Sequence, residues 1–183
     1  MLAAEFIVVA STVLGIEYSV QNTTPNDIYL FDRVFTRAAT GEPVIDPGLA
    51  YRRLQDGTLV VERVLQPIPP GQKVEVPDIP YVTRVAPGET RQGRITFKAP
   101  VSEFGAYYDG PRDGKLHQVD QVVLRIGYIS AADIGPGMGV IRPDPHHTRD
   151  GFVANYGLGN RLQKVFEVNL GAPPASLVVS RAN

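Results

Sequence analysis

Apolar and polar residues alternate in short runs along this chain. Ile16, Tyr18 and Val20 interleave with Glu17, Ser19 and Gln21, and Ile95 and Phe97 interleave with Arg94, Thr96 and Lys98. Val122, Leu124, Ile126 and Tyr128 share one face of a third run, and Phe166, Val168 and Leu170 share one face of a fourth. A period of two is the mark of a half-buried strand. Phe6–Val13 and Ile28–Phe35 are denser and read as strands buried more deeply, with Gly15 as a break or bulge between the first pair. Leu177 and Val179 suggest a final strand. Turn residues punctuate the runs. Asn22–Asp27 predicts a hairpin joining Ile16–Val20 to Ile28–Phe35, and Pro70-Gly71 and Pro87-Gly88 fit type II turns around short strands at Val74–Val76 and Tyr81–Val85. No helical period persists, and the pattern adds up to an all-β sandwich of about ten strands.

Two stretches are less regular. Over residues 47–55, Asp46-Pro47 could cap a short helix, or Tyr51–Gln55 and Thr58–Leu65 could form a hairpin about Asp56-Gly57. The β-rich surroundings favour the hairpin. Ala132–Arg161 holds six glycines and three prolines and reads as a long loop inserted into the domain. Long loops are usually functional or disordered, which makes this one the leading contact surface.

The 183 residues suit one domain with a single core. A net charge of −1, with acids and bases interleaved, supplies no basic stripe for phosphate backbones, so nucleic acid is not an expected partner. Fourteen of the 18 basic residues are arginine, a residue favoured in planar, bidentate contacts. With no cysteine, disulfides, thiolate metal sites and cysteine nucleophiles are excluded. The opening residues Met1–Gly15 lack a basic leader region and an A-x-A site, and are too short to span a bilayer. They read as a first strand, with no transmembrane segment. The chain is then extracytoplasmic if a signal was removed beforehand, and cytoplasmic otherwise.

Two segments, Ile16–Phe35 (IEYSVQNTTPNDIYLFDRVF) and Val85–Pro100 (VAPGETRQGRITFKAP), resemble the strand–turn–strand and the turn-and-strand of bacterial immunoglobulin-like accessory domains. Together they cover about a fifth of the chain. The resemblance implies an immunoglobulin-like sandwich. It implies no particular activity, since the group includes inhibitors, adhesion modules, chaperones and assembly subunits.

Catalytic signatures are missing: there is no G-x-S-x-G, S-x-x-K or H-E-x-x-H. Gly135-Pro136-Gly137-Met138-Gly139 lacks the G-K-[ST] ending of a phosphate loop, and Asp109–Asp120 matches a calcium loop poorly, with Pro111 at a ligand position. Asn22-Thr23-Thr24 satisfies a glycosylation sequon and reads as a plain turn. Tyr107 and Tyr108, together with Phe152 and Tyr156 in the long loop, are the candidate anchors for a protein partner. The expected function is a non-catalytic interaction module, a structural or accessory subunit of a larger assembly, working without a cofactor. The alternatives are a metal-binding sandwich using the 144–150 loop, or a hydrolytic or carbohydrate-active sandwich with dispersed carboxylates. Asp144, His146, His147 and Asp150, with His117 from elsewhere, are the metal candidates. Adjacent histidines in extended chain point apart, so a structural metal site is not expected. Chelator should leave the melting temperature unchanged; a drop of several degrees, reversed by one specific ion, would overturn that expectation.

Overall fold

Sixteen short strands form among residues 1–10, 13–107, 113–144, 151–174 and 177–181, the parts of the chain described by this computed structural model. In chain order they are β1 (Leu2–Ala10), β2 (Val13–Gln21), β3 (Ile28–Arg33), β4 (Phe35–Arg37), β5 (Pro43–Ile45), β6 (Tyr51–Gln55), β7 (Thr58–Arg63) and β8 (Tyr81–Val85). They continue with β9 (Thr90–Lys98), β10 (Val101–Ser102), β11 (Leu116–Gln118), β12 (Gln121–Ser130), β13 (Ile141–Pro143), β14 (Phe152–Ala154), β15 (Lys164–Gly171) and β16 (Val178–Ser180). The one α-helix among the described residues, α1, is Tyr156–Leu162. The protein is thus nearly all β, an all-β sandwich and no barrel.

A small sheet, β1-β2-β9, faces a large one ordered β13-β14-β8-β3-β12-β7-β6, with β15 also on β12. Strand β12 organises the large sheet. Tyr128 pairs with Leu30 of β3 and with Lys164 of β15, so those strands flank it on opposite edges. Val122–Ile126 pair in the same way with Leu59–Arg63 of β7 and with β15. Strands β7 and β3 therefore lie end to end along one edge of β12, with β15 along the other.

Burial follows the alternation. Leu14, Ile16, Tyr18 and Val20 of β2 and Ile95 and Phe97 of β9 pack against Ile28, Leu30, Leu59, Val61, Leu124 and Ile126 of the large sheet. The neighbours of some of these residues point the other way. Phe31, Leu65, Val82 and Ile129 form a second cluster with Val140 and Ala154, overlaid by Leu158 and Leu162 of α1. Strand β3 is covered on both faces, which is why Ile28–Phe31 carries no alternation. Each fully buried Leu, Ile or Phe contributes roughly 1.5–3 kcal/mol, so this outer layer adds appreciably to stability.

The residues expected to form a hairpin do something else. Strand β2 pairs with β1 and β9, whereas β3 pairs with β8 and β12, so Asn22–Asp27 is an arch from one sheet to the other. Asn22, buried at the crossing, sets it. Its Nδ2 donates to the carbonyls of Val85 (2.9 Å) and Asn26 (2.8 Å), and its Oδ1 accepts from the Thr24 amide and hydroxyl. Of the sequon, Asn22 is buried and held by these bonds, while Thr23 and Thr24 are exposed.

Other expectations are corrected as well. Val74–Val76 forms no strand, and Val76 is exposed; prolines at 67, 69, 70, 77 and 80 remove the donors a ladder needs. Gly15 is no break: it lies inside β2, where a Cβ would come within 2.7 Å of the Ile7 side chain. The segment 132–161 is not a bare loop, since it contains β13, β14 and most of α1. The side chain of Asn155 caps α1 by accepting from the Leu158 amide, and β14 pairs with β8 at the open end of the large sheet. The hairpin at 51–65 does form, as β6 and β7, and Asp56 (φ 47°) and Gly57 (φ 77°) give it the two positive φ angles of a type I′ turn.

Between the sheets lies a charge. Arg63, at the end of β7, is 2% exposed. Its Nε donates to Leu49 O (2.9 Å); its other donors reach Tyr18 Oη (2.8 Å) and the carbonyls of Asp32 (3.0 Å), Pro47 and Arg94 (3.1 Å). All five N–H groups are met by uncharged oxygens. The Asp32 carboxylate, also buried, accepts from Thr83 Oγ1 (2.7 Å) and pairs with Arg91 (2.9 Å). Burial pushes the Tyr18 hydroxyl up from its ordinary pKa, and the Arg63 cation partly opposes the shift.

Replacing Arg63 with Met would strand four carbonyls on three segments. A loss of about 3–5 kcal/mol is expected in urea unfolding. Arg63→Lys, which keeps the charge without the fork, should fall between Met and the native residue.

Candidate functional site

The two sheets meet unevenly, and their outer strands leave an apolar seam. β1 is the end strand of the small sheet, and β15 has β12 as its neighbour among the described residues; the two run close to each other. Leu2, Ala4 and Phe6 of β1 and Phe166, Val168 and Leu170 of β15 face the core but stay only partly buried. Phe166 stacks on Tyr128, with ring centroids 4.2 Å apart.

The backbone along β1 is open too. Met1 and Gln21 exchange both of their hydrogen bonds (2.9 and 2.7 Å), which fixes the phase of the β1–β2 ladder. Alternation then turns the N–H and C=O groups of Leu2, Ala4 and Phe6 away from β2. No hydrogen bond to them forms among the described residues. Strand β1 has one charge, Glu5, in nine residues, and Glu5 lies opposite Glu17. A long apolar strand with an unpaired edge is a template for another strand.

A separate cleft of about 710 Å³ opens at the far end of β7. Its walls are the proline strap 67–70 and the segment 103–107, and its polar groups include Glu62, Gln66, Glu103, Glu167 and three arginines. Each carboxylate is engaged. Glu62, buried, accepts from Gln66 Nε2 (2.9 Å), with Arg53 3.6 Å away. Glu103 accepts from the Leu54 amide (2.6 Å) and pairs with Arg181 (3.1 Å). Arg125 pairs with Glu167 (2.7 Å). Sequence reading passed over these residues. The signal was Glu62-Arg63 inside the apolar run Leu59–Leu65, since a charged pair within a buried strand needs partners.

Two of the tyrosines singled out from sequence, Tyr156 and Tyr107, belong to the framework of this cleft. Tyr156 Oη accepts from the Ile68 amide (2.6 Å) and donates to Gln66 O (3.2 Å). Tyr107 Oη accepts from the Asp78 amide (2.9 Å), and burial raises its pKa. Both hold the proline-rich segment in place. Phe152 lies apart from them, edge-on to Tyr29 with centroids 5.7 Å apart. Tyr108, Asp109, Pro111, His146, His147 and Asp150 lie outside the described residues. Asp144 is buried, donates its amide to Gly151 O (2.9 Å) and hydrogen-bonds the Tyr81 hydroxyl. His117 sits on β11 with its Nε2 2.9 Å from Asp113 Oδ2. Among the described residues no three His, Asp or Glu side chains are placed to hold one metal ion. No described helix is long and apolar enough to cross a membrane.

The chain matches no protein-family model, no curated protein and no solved structure.

Tyr156→Phe keeps the ring and removes both strap contacts. It should cost about 1–2 kcal/mol and raise hydrogen exchange at the Ile68 amide while leaving that of β12 unchanged.

Proposed function

We propose that this chain is a non-catalytic protein-interaction module, a structural or accessory subunit of a larger assembly built on an immunoglobulin-like sandwich. Its partner is a protein that adds an extended segment along β1. The observation that carries the reading is the outward row of N–H and C=O groups on Leu2, Ala4 and Phe6, beside the half-covered side chains of β15. Strand addition uses both features: the backbone supplies affinity, and alternate side chains bury the seam. Phe152, Tyr156 and Tyr107 are occupied in holding the chain's own segments, which moves the expected contact from the long loop to the seam. A hydrolytic or carbohydrate-active sandwich would draw on Glu62 and Glu103. Both carboxylates are already held in ion pairs, and that reading leaves the seam without a role.

Proline at an outward-facing strand position blocks pairing with a newcomer and spares the existing ladder. Ala4→Pro should abolish stoichiometric capture of the partner from the native source and leave the melting temperature within a few degrees. Ala3→Pro, which faces β2, should destabilise the fold itself. Capture that survives Ala4→Pro undiminished would overturn the reading, and so would a partner whose binding protects α1 but not β1 from hydrogen exchange.

A further inference from the structure

The one charge of β1 stands on the outer face of the small sheet. Leu2, Ala4 and Phe6 turn toward the core, so alternation carries Ala3 and Glu5 to the other side, where both are exposed. The ladder lines up three charges across that face: Glu5 lies opposite Glu17 of β2, and Glu17 lies opposite Arg94 of β9. Arg94 is spent on the nearer acid. Its Nε (3.0 Å) and its Nη2 both donate to Glu17 Oε1. Glu5 makes no ion pair and no side-chain hydrogen bond among the described residues. Two carboxylates directly opposed repel each other, and one arginine serves the pair.

The phase of the ladder decides what kind of neighbour Glu5 would meet. Odd-numbered residues of β1 bond to β2, as Met1 does with Gln21, and even-numbered ones turn their N–H and C=O groups to the free edge. An antiparallel strand added there forms its hydrogen-bonded pairs at Leu2, Ala4 and Phe6. Glu5 then falls at a pair without hydrogen bonds, where Cα atoms are about 4.5 Å apart and side chains lie closest. The newcomer's residue at that point stands beside one carboxylate with a second behind it.

We propose that the strand added along β1 belongs to a different protein and carries a lysine or arginine opposite Glu5, with apolar residues on either side of it. The flanking residues lie opposite Ala4 and Phe6 on the seam, and the cation lies on the outer face. This inference rests on the strand-addition reading and supplies the chemistry of the partner. A second copy of this chain is the wrong occupant. In a two-fold antiparallel pair of β1 strands centred on residue 5, Glu5 meets Glu5. Centred on Ala4 or Phe6, it meets Ala3 or Ile7, and the two carboxylates stay diagonal neighbours. Each register gathers both copies of Glu5 and Glu17 on one face, with both copies of Arg94 already taken. Glu5 thus bars self-pairing and admits a basic strand.

The test is titration of isotopically labelled full chain, followed by amide NMR, with three capped peptides of about nine residues. The peptides alternate threonine and valine and differ at the central threonine position, which holds lysine, glutamine or glutamate. Saturable shifts at Leu2, Ala4 and Phe6 are expected with the lysine peptide, about fivefold tighter than with the glutamine peptide, and weakest with glutamate. The spread should narrow as sodium chloride is raised. Glu5→Lys should reverse the order and Glu5→Gln should flatten it, both at an exposed side chain whose replacement leaves the unbound spectrum folded. If none of the peptides moves the β1 amides, strand addition itself fails and this proposal falls with it. If all three bind alike, or the order survives Glu5→Lys, strand addition stands and the charge requirement is overturned. Concentration-dependent shifts at the same amides in the native chain alone mean that β1 pairs with itself, and they overturn the choice of partner.

Discussion

A guanidinium group sealed between two sheets keeps its charge, so each of its five donors must find an oxygen. For Arg63 those oxygens come from β2, β3, the loop at 47–49 and β9. The two sheets can approach in the register that brings all of them to one point, and in few others. Buried charges are often replaceable by apolar residues at no loss. The exchange is unfavourable at this site, because four of the acceptors are backbone carbonyls that no compensating substitution can remove. Tyr18 belongs to the same arrangement. A Cβ on Gly93, its cross-strand partner, would lie 2.3 Å from Tyr18 Cζ, so the ring needs that glycine in order to reach Arg63.

The unequal sheets follow from how β12 spends its edges. One edge is shared by β7 and β3, the other is filled by β15, and the large sheet grows outward from there. Three strands cannot cover that inner face to its margins. The segment after β12 packs on the opposite face instead, where α1 and β14 bury Leu65, Ile129 and Phe31. Gln163 locks this layer down: its side-chain amide donates to Leu65 O (3.1 Å) and accepts from Leu65 N (2.7 Å), in place of a neighbouring strand. What is left over is the apolar margin between β1 and β15.

The strands with the strictest alternation, β2, β9, β12 and β15, were legible because each turns a row of alternate apolar side chains to the core. The β6–β7 turn was legible because Asp56-Gly57 stands between two strand-like runs, the setting in which this dipeptide makes a type I′ turn. The arch at Asn22 was not. A turn inside one sheet and a crossing between two have the same composition, and the difference lies in Asn22 reaching Val85 far along the chain. The segment 132–161 misled for a related reason: its glycines hid two three-residue strands that pair with each other, and the partners that tie β14 to the large sheet, Val82 and Tyr81, are remote in sequence. The seam could not be read from β1 at all, since an apolar strand looks alike at an edge and at a centre. The arginine cluster beside β9 was half visible. The excess of arginine over lysine was in plain view, but the convergence of Arg33, Arg63, Arg91 and Arg94 depends on three separate strands.

The position of β12 late in the chain also governs how the molecule reaches its native state. Its pairing with β7 is parallel and its pairing with β3 antiparallel, and both partners are made long before it. Until Gln121–Ser130 exists, those earlier strands have no centre to assemble on. Contacts that close such long loops form slowly. A chain growing from its N-terminus therefore spends much of its synthesis with β1 and β7 exposed. Both are apolar strands of the kind that pair with strangers, and the cell must shield them or outrun them.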